Sequence, residues 1–372
     1  MGRGDLPDAH MIRLPVRGLS STMLPKVRGV SGAFSDDIAI DLGTANTLVH
    51  VTGRGIIIDE PSMVAVRSSG GERELIAVGD EARRMVGLTP EPLETLHPMR
   101  DGVIADFVAT EFMLRQFIRR ARSMLGFRRP RILISVPAGA TPVERRAVTE
   151  TAKYAGARKV HLVAEPVAAL LGAGMPVAEA RGTMVIDIGG GTTDIAVLSH
   201  GKVVTARSLR AAGHAMDDAI SRYIRRQHHL VVGPANAERI KMEAGTASAL
   251  VNGRHIDIRI SGRELRRGRA KTVVLSPQHV AEALDGVIGD IAEFGRRTLE
   301  DIPADIAADI CERGIVMTGG GALLDRLSDE LADRIGAPCQ LAPAPMQCVV
   351  KGTALVMEQL AAHEHLLLAT DI

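Results

Sequence analysis

The 372-residue chain contains no tryptophan and only six phenylalanines and two tyrosines. Its core must therefore be built from Val, Ile, Leu, Ala and Met, which favours tightly packed strands and helices. Cysteine is scarce: Cys311, Cys339 and Cys348 form no CxxC pair. That excludes a disulfide framework and reads as reduced thiols in a cytosolic protein. No apolar run reaches the roughly 18 residues of a spanning helix. The stretch from Met1 to Phe34 also lacks the continuous apolar segment of a signal peptide. An excess of one charge is missing too. The balance is 45 basic against 44 acidic residues, a net charge of +1, so no global field points to nucleic acid.

What is present is a hydrophobic fraction of 46% and 38 glycines. The length suggests about two domains, and the glycines supply turns and close backbone approaches. Residues 1–35 stand apart, with Arg3, Arg13, Arg17, Lys26 and Arg28 set against Asp5 and Asp8, and with Pro7, Pro15 and Pro25 breaking any long helix. This stretch reads as a flexible tail or as an extension upstream of a start at Met11 or Met23. A basic arm for an anionic membrane is the other reading.

From Asp36 onward the pattern is α/β. Short buried strands are expected at 38–41, 48–51, 55–59, 131–136 and 160–163. A helix is expected over 103–123, with Phe107, Leu114, Phe117 and Ile118 on one side. Another follows Thr141, with Pro142 at its first turn and Glu144 inside it. A further helix begins at Pro166. Then the pattern restarts. Strands are expected at 183–187, 195–198, 202–205 and 314–318, with helices over 213–227 and 349–363.

The restart is the informative feature. Asp41-Leu-Gly-Thr-Ala-Asn-Thr47 and Asp187-Ile-Gly-Gly-Gly-Thr-Thr-Asp194 are two versions of one device. In each, a buried strand ends in Asp, a Gly/Thr hairpin follows, and a second strand leaves. Glycines let backbone N–H groups approach phosphate oxygens, and Thr hydroxyls add donors. A strand-end Asp suits Mg2+ held through water. Two such hairpins can clamp a triphosphate and its metal from both sides, whereas one alone would be an ordinary turn.

Three further pieces fit the same chemistry. Thr318-Gly-Gly-Gly-Ala-Leu-Leu324 runs from a strand into glycines, so backbone can lie flat against a base or ribose. Glu238 and Lys241 are three apart on a helix and share a face, with Arg239 and Ile240 between them. Alone, that pair would be a solvated ion pair. Glu165, between a strand and Pro166, is the candidate to position water against a terminal phosphate. Its bland reading is a carboxylate serving a helix dipole.

In order and content these stretches resemble the actin, sugar-kinase and heat-shock ATPase superfamily. Within it they are most similar to the MreB/Mbl family of bacterial actin homologues. The similarity runs from about Asp36 to Leu360 through IDLGTANTLV (40–49), EPSMVAV (60–66), HPMRDGVIADF (97–107), MVIDIGGGTTDIAV (184–197), RGIVMTGGGALL (313–324) and VVKGTALVME (349–358). The resemblance implies an actin-like ATPase fold, with duplicated ribonuclease-H-like domains flanking a nucleotide cleft. Large subdomains would take 36–66 plus 100–180 plus 347–372, and 181–215 plus 280–346. Small ones would take 67–99 and 216–279, with 1–35 as a basic tail.

The resemblance further implies that Thr44, Ala45 and Asn46 line the first phosphate loop, and Gly190, Gly191 and Thr192 the second. Asp41 and Asp187 would face Mg2+, and Glu165 and Thr192 would serve hydrolysis. Glu238, Arg239, Ile240, Lys241, Gly320, Gly321, Ala322 and Leu323 would meet ribose and base. The implied activity is that of a slow ATPase coupled to polymerisation. Filaments would lie on the inner face of the cytoplasmic membrane and guide the cell-wall elongation machinery.

Several positions depart from the family pattern. Ala164-Glu165-Pro166 replaces Glu-Glu-Pro, Asp194 replaces Glu, and His214-Ala215 replaces Asp-Glu. The segment 245–275 is rich in arginine: Arg254, Arg259, Arg263, Arg266, Arg267 and Arg269. Met124, Leu125 and Phe127 sit between arginines, where a loop tip can enter a membrane interface. Their bland reading is a helix end returning to the core. A sugar or acetate kinase would need a larger substrate insertion, and a chaperone ATPase a further domain after His363. A nucleotide-binding homologue with weak or no polymerisation, acting as a helper or in spore-wall synthesis, is the alternative.

Overall fold

A computed structural model of the chain describes residues 37–69, 72–85, 93–122, 129–248, 257–266 and 268–369. The tail 1–35 and the membrane candidates Met124, Leu125 and Phe127 lie outside the described residues.

The first half is laid down as β1 (Asp37–Leu42), β2 (Asn46–Val51), β3 (Gly55–Pro61), α1 (Phe107–Arg122), β4 (Arg131–Val136), α2 (Pro142–Tyr154), β5 (Lys159–Ala164) and α3 (Glu165–Gly172). The second repeats the plan with β6 (Thr183–Ile188), β7 (Thr193–Ser199), β8 (Lys202–Leu209), α4 (Gly213–His228), α5 (Pro234–Ala244), α6 (Pro277–Glu300), β9 (Ile315–Thr318), β10 (Cys339–Leu341) and α7 (Cys348–Glu358).

The two large sheets have the same order. One runs β5-β4-β1-β2-β3, extended past β5 by the short strand Leu367–Leu368, and the other runs β10-β9-β6-β7-β8. In each, the hairpin strands pair antiparallel while the later strands pair parallel to the first. The central strands are buried on both faces, which is why they read as continuous apolar runs. Alternate residues serve different layers. Ile132 and Ile134 of β4 enter the core beneath α1 and α2, while Leu133 faces the other way.

That other side is shared. Leu133, Val163, Val185, Ala196 and Leu198 from both sheets meet Val167 and Leu170 of α3 and Val356 and Met357 of α7 in a single cluster. The two helices are exchanged between halves. α3 follows a first-sheet strand yet packs on β6 and β7, while α7 follows the second sheet yet packs on β1 and β4. They cross in direct backbone contact at Gly172 and Gly352. A Cβ on Gly172 would overlap the Cys348 carbonyl, and one on Gly352 the Ala168 carbonyl. Only glycine fits either place.

Local signals explain most boundaries. Thr141 caps α2 through a capping box with Glu144, and Pro142 occupies its first turn. The first long helix begins at Phe107 rather than at 103, because Asp106 caps it: its Oδ1 accepts from the Ala109 N–H at 2.9 Å. Residues 103–104 form a short strand instead. Leu114, Phe117 and Ile118 are buried as expected, whereas Phe107 lies exposed at the helix start against Tyr154. The last helix closes at Glu358, earlier than the expected 363. Two small sheets were not anticipated. One joins Val64–Ser69, Glu72–Val78 and Leu93–Leu96; the other joins Leu230–Val231, Ile258–Glu264 and Ala270–Leu275.

Candidate functional site

The β1–β2 and β6–β7 hairpins face each other across a cavity of about 800 Å³. Its wall includes Thr44, Ala45 and Asn46 from the first tip and Gly190, Gly191 and Thr192 from the second. The tips are in contact. A Cβ on Gly190 would come within 2.8 Å of the Ala45 Cβ, and one on Gly191 within 2.6 Å of Thr44 Oγ1. Each tip is also braced from behind. Ser62 holds the first by donating its hydroxyl to the Gly43 carbonyl at 2.6 Å and its N–H to the Ala45 carbonyl at 2.8 Å. The start of α4 holds the second, with the Gly213 N–H on the Gly189 carbonyl (3.1 Å) and the His214 N–H on the Gly190 carbonyl (2.8 Å).

Below the tips the strand ends supply acid. Asp41 lies opposite Ser135 in the parallel register, and the serine hydroxyl donates to Asp41 Oδ1 at 3.0 Å. Asp187 lies opposite Thr318, whose hydroxyl donates to Asp187 Oδ1 at 2.7 Å. One arrangement thus occurs twice, a strand-end carboxylate steadied by a hydroxyl on the next parallel strand. Asp194 Oδ1 accepts from the Ala138 N–H across the halves at 2.8 Å, and the carboxylate is buried. Glu165 stands at the first position of α3 and is buried.

These carboxylates crowd one another. Burial pushes Asp41 up to about 6, with Ser135 opposing and Asp59 adding. Burial raises Asp187 to about 7, against the Thr318 hydrogen bond and with the charges of Asp194 and Asp41. Asp194 rises to about 6 through burial, opposed by the Ala138 N–H and by the hydroxyls of Thr192 and Ser208. Glu165 is held well above the usual carboxylate range by burial first, then by Asp194, Asp41 and Asp187. A buried all-oxygen acidic cluster of this kind favours a hard cation. Among the described residues no three His, Cys, Asp or Glu side chains converge to ligate a metal directly. Acids so placed could hold a Mg2+ ion through its waters, and Asp41 and Asp187 both line the cavity.

The cavity also has glycine and apolar walls. Gly320, Gly321 and Leu323 line it, as do Met242 and Met346, which the sequence did not single out. Glu238 and Lys241 line the cavity too, and the Lys241 ammonium reaches the start of α4, donating to the Gly213 carbonyl at 3.1 Å and to Asp217 Oδ2 at 3.0 Å.

Three candidates do not present side chains there. Ile240 is fully buried in the core beneath the second sheet, Arg239 turns outward to Glu243 at 2.8 Å, and Ala322 is buried in the same core. The helix period accounts for the first two, since residues one and two places from Glu238 face away from it. Glu144 caps α2 and lies 3.7 Å from Arg210. Ser135 and Thr318 were missed as partners of the acids because a hydroxyl inside a strand signals nothing until the register is known, and Ser62 because its partners lie across a hairpin.

The profile of the MreB/Mbl protein family matches residues 35–365. The chain belongs to the MreB/Mbl family. Its fold is the actin-like one of that family. It is 46% identical over 344 residues to the cell shape-determining protein MreB of Escherichia coli K12, covering 92% of this chain and 98% of that protein. Among solved structures it resembles MreB5 of Spiroplasma citri bound to ADP, at 34% identity and a TM-score of 0.81, over 87% of this chain and 96% of that one. The same protein bound to AMPPNP matches at 33% identity and a TM-score of 0.80, over 88% and 97% of the two chains. MreB/Mbl proteins are actin homologues, and the duplicated sheets here are the form that homology takes. No described helix is long and apolar enough to cross a membrane.

Proposed function

We propose that this MreB/Mbl chain binds ATP with Mg2+ between its two hairpins and assembles into filaments on the inner face of the cytoplasmic membrane. There the filaments organise the cell-wall elongation machinery and so set cell shape. The observation that carries this reading is the contact of two hairpin tips over a buried cluster of acids, with Glu165 among them. The nucleotides held by MreB5 and the cell-shape role in the name of the Escherichia coli relative support it.

In this reading the backbone N–H groups and hydroxyls of Thr44 to Asn46 and Gly190 to Thr192 hold the phosphates. Asp41 and Asp187 hold the hydration shell of Mg2+, which would neutralise phosphate charge when bound. Glu165 orients the attacking water, aided by Thr192. Its raised pKa favours a neutral carboxyl, and a cation held beside it would favour the ionised form. Gly320, Gly321, Leu323 and Glu238 bound the base and ribose end. The subdomain limits at 67–99 and 216–279, around the two small sheets, belong to the same proposal. So does membrane insertion of Met124, Leu125 and Phe127. Nucleic acid has no part in it.

ATP-dependent pelleting, with and without anionic liposomes and imaged by negative stain, is the test. Filaments on lipid are the expected result. ATP binding with no polymer would overturn the filament step and leave a helper homologue, consistent with His214-Ala215 and the arginine-rich hairpin. Leu125→Ser with Phe127→Ser is expected to abolish liposome co-sedimentation while the protein stays folded.

A further inference from the structure

One ionisable side chain in the cavity wall has no part in the clamp described above. His214 stands in the first turn of α4, and its backbone N–H is spent on the Gly190 carbonyl at 2.8 Å. That bond pins the residue directly behind the second hairpin tip. The imidazole lines the same cavity as Thr192 and Lys241. It therefore stands beside the second hairpin tip, where the nucleotide reading above puts the phosphates.

Its surroundings come from three elements. Lys241 and Glu238 face it from α5, and His97 and Asp101 face it across the cleft from the first half. Asp217 lies on its own helix and is held by Lys241. Burial is the largest influence and lowers the imidazole pKa. Lys241 and His97 push the same way, while Glu238 and Asp101 oppose them. The side chain is accordingly neutral near pH 7 in the free protein. A terminal phosphate arriving beside it adds negative charge, which favours the imidazolium.

We propose that His214 reads the terminal phosphate of the bound nucleotide, taking one proton from solvent when a triphosphate enters and little when a diphosphate does. This deepens the nucleotide reading of the cleft and rests on it. Its consequence is a pH-dependent preference. Uptake of a proton on binding strengthens affinity as pH falls, by up to about tenfold per pH unit for a full proton. Between pH 6.5 and 7.5 the Kd for AMPPNP is expected to weaken by about three- to tenfold, and that for ADP by less than about twofold.

The experiment is titration calorimetry of the full chain with AMPPNP and with ADP, in two buffers of different ionisation enthalpy, for wild type and His214→Gln. The nucleotide's own titration is common to both proteins and cancels. More proton uptake with AMPPNP than with ADP in wild type, lost in His214→Gln, is the expected result. Persistence of that difference in the variant, or its absence from wild type, overturns the role of His214 while the nucleotide site stands. No binding of either nucleotide to wild type overturns the site and the proposal together. His214→Asn serves as the second variant should the glutamine protein not fold.

Discussion

The two hairpins descend from one plan but do different jobs at their tips. Both end a buried strand in Asp, and both steady that Asp with a hydroxyl from the neighbouring parallel strand. The first tip then carries side chains, Thr44, Ala45 and Asn46, and is braced by Ser62, just past β3. The second is bare at Gly189, Gly190 and Gly191 and is braced by the start of α4. Bare backbone against side chains is what lets the tips touch, since two tips of the first kind would collide. A duplication can therefore close on itself only if its copies diverge at the point of contact.

Placing a side chain on the bare tip is the strongest way to break that complementarity. Gly191→Val would drive a Cβ into Thr44 and the Asp101 backbone. It is expected to weaken ATP binding by more than about a hundredfold in a fluorescent-nucleotide titration, the cost of several kcal/mol of overlap. The mirror change, Ala45→Gly, is expected to alter the same Kd by less than about threefold. Equal effects from both would show that the tips are interchangeable after all.

The next largest effect separates binding from turnover. Glu165→Ala should still bind ATP yet release phosphate more than about tenfold more slowly, a modest loss for a positioned catalytic group. Unchanged release would move the role elsewhere.

A third change tests the joint between the halves. Gly352→Ala overlaps the Ala168 carbonyl and should destabilise the fold by about 1–3 kcal/mol, read as a lower Tm and denaturant midpoint.

The smallest effect compares the two strand-end acids. A carboxyl whose folded pKa lies above its unfolded value binds more protons folded than unfolded, so stability falls as pH rises between the two values. For Asp187 that window runs from about 4 to about 7, and for Asp41 from about 4 to about 6. In nucleotide-free protein, Asp187→Asn should therefore relieve more of the loss at pH 7 than Asp41→Asn does, by roughly 1 kcal/mol in chemical denaturation. Equal relief would mean that the two ends of the duplication are electrostatically alike.

Much of this was legible from residues in a row. Asp-x-Gly followed by Thr within a few residues, after an apolar run, encodes a strand, a turn and an acid in one stretch, so both hairpins could be found without coordinates. Helix caps were legible for the same reason, Thr141-Pro142 being local chemistry. What was hidden depends on register or on distant meetings. Ser135 faces Asp41 only because β1 and β4 align, and Gly172 meets Gly352 only because two helices cross. The arginine-rich hairpin at 258–275 escaped because charged, half-exposed strands carry no clear period. Arg239 and Ile240 were drawn in by adjacency to Glu238, although helical geometry turns them away.

The exchange of α3 and α7 also determines how the molecule can move. Each half is tied to the other through a helix lying on its neighbour's sheet, and the two ties cross where no side chain intervenes. A body held at one such crossing by two struts has little freedom to slide or separate, but it can pivot. Opening and closing of the cleft are thereby reduced to nearly one coordinate, and whatever enters between the tips is felt at the far ends of both halves as a change in a single angle.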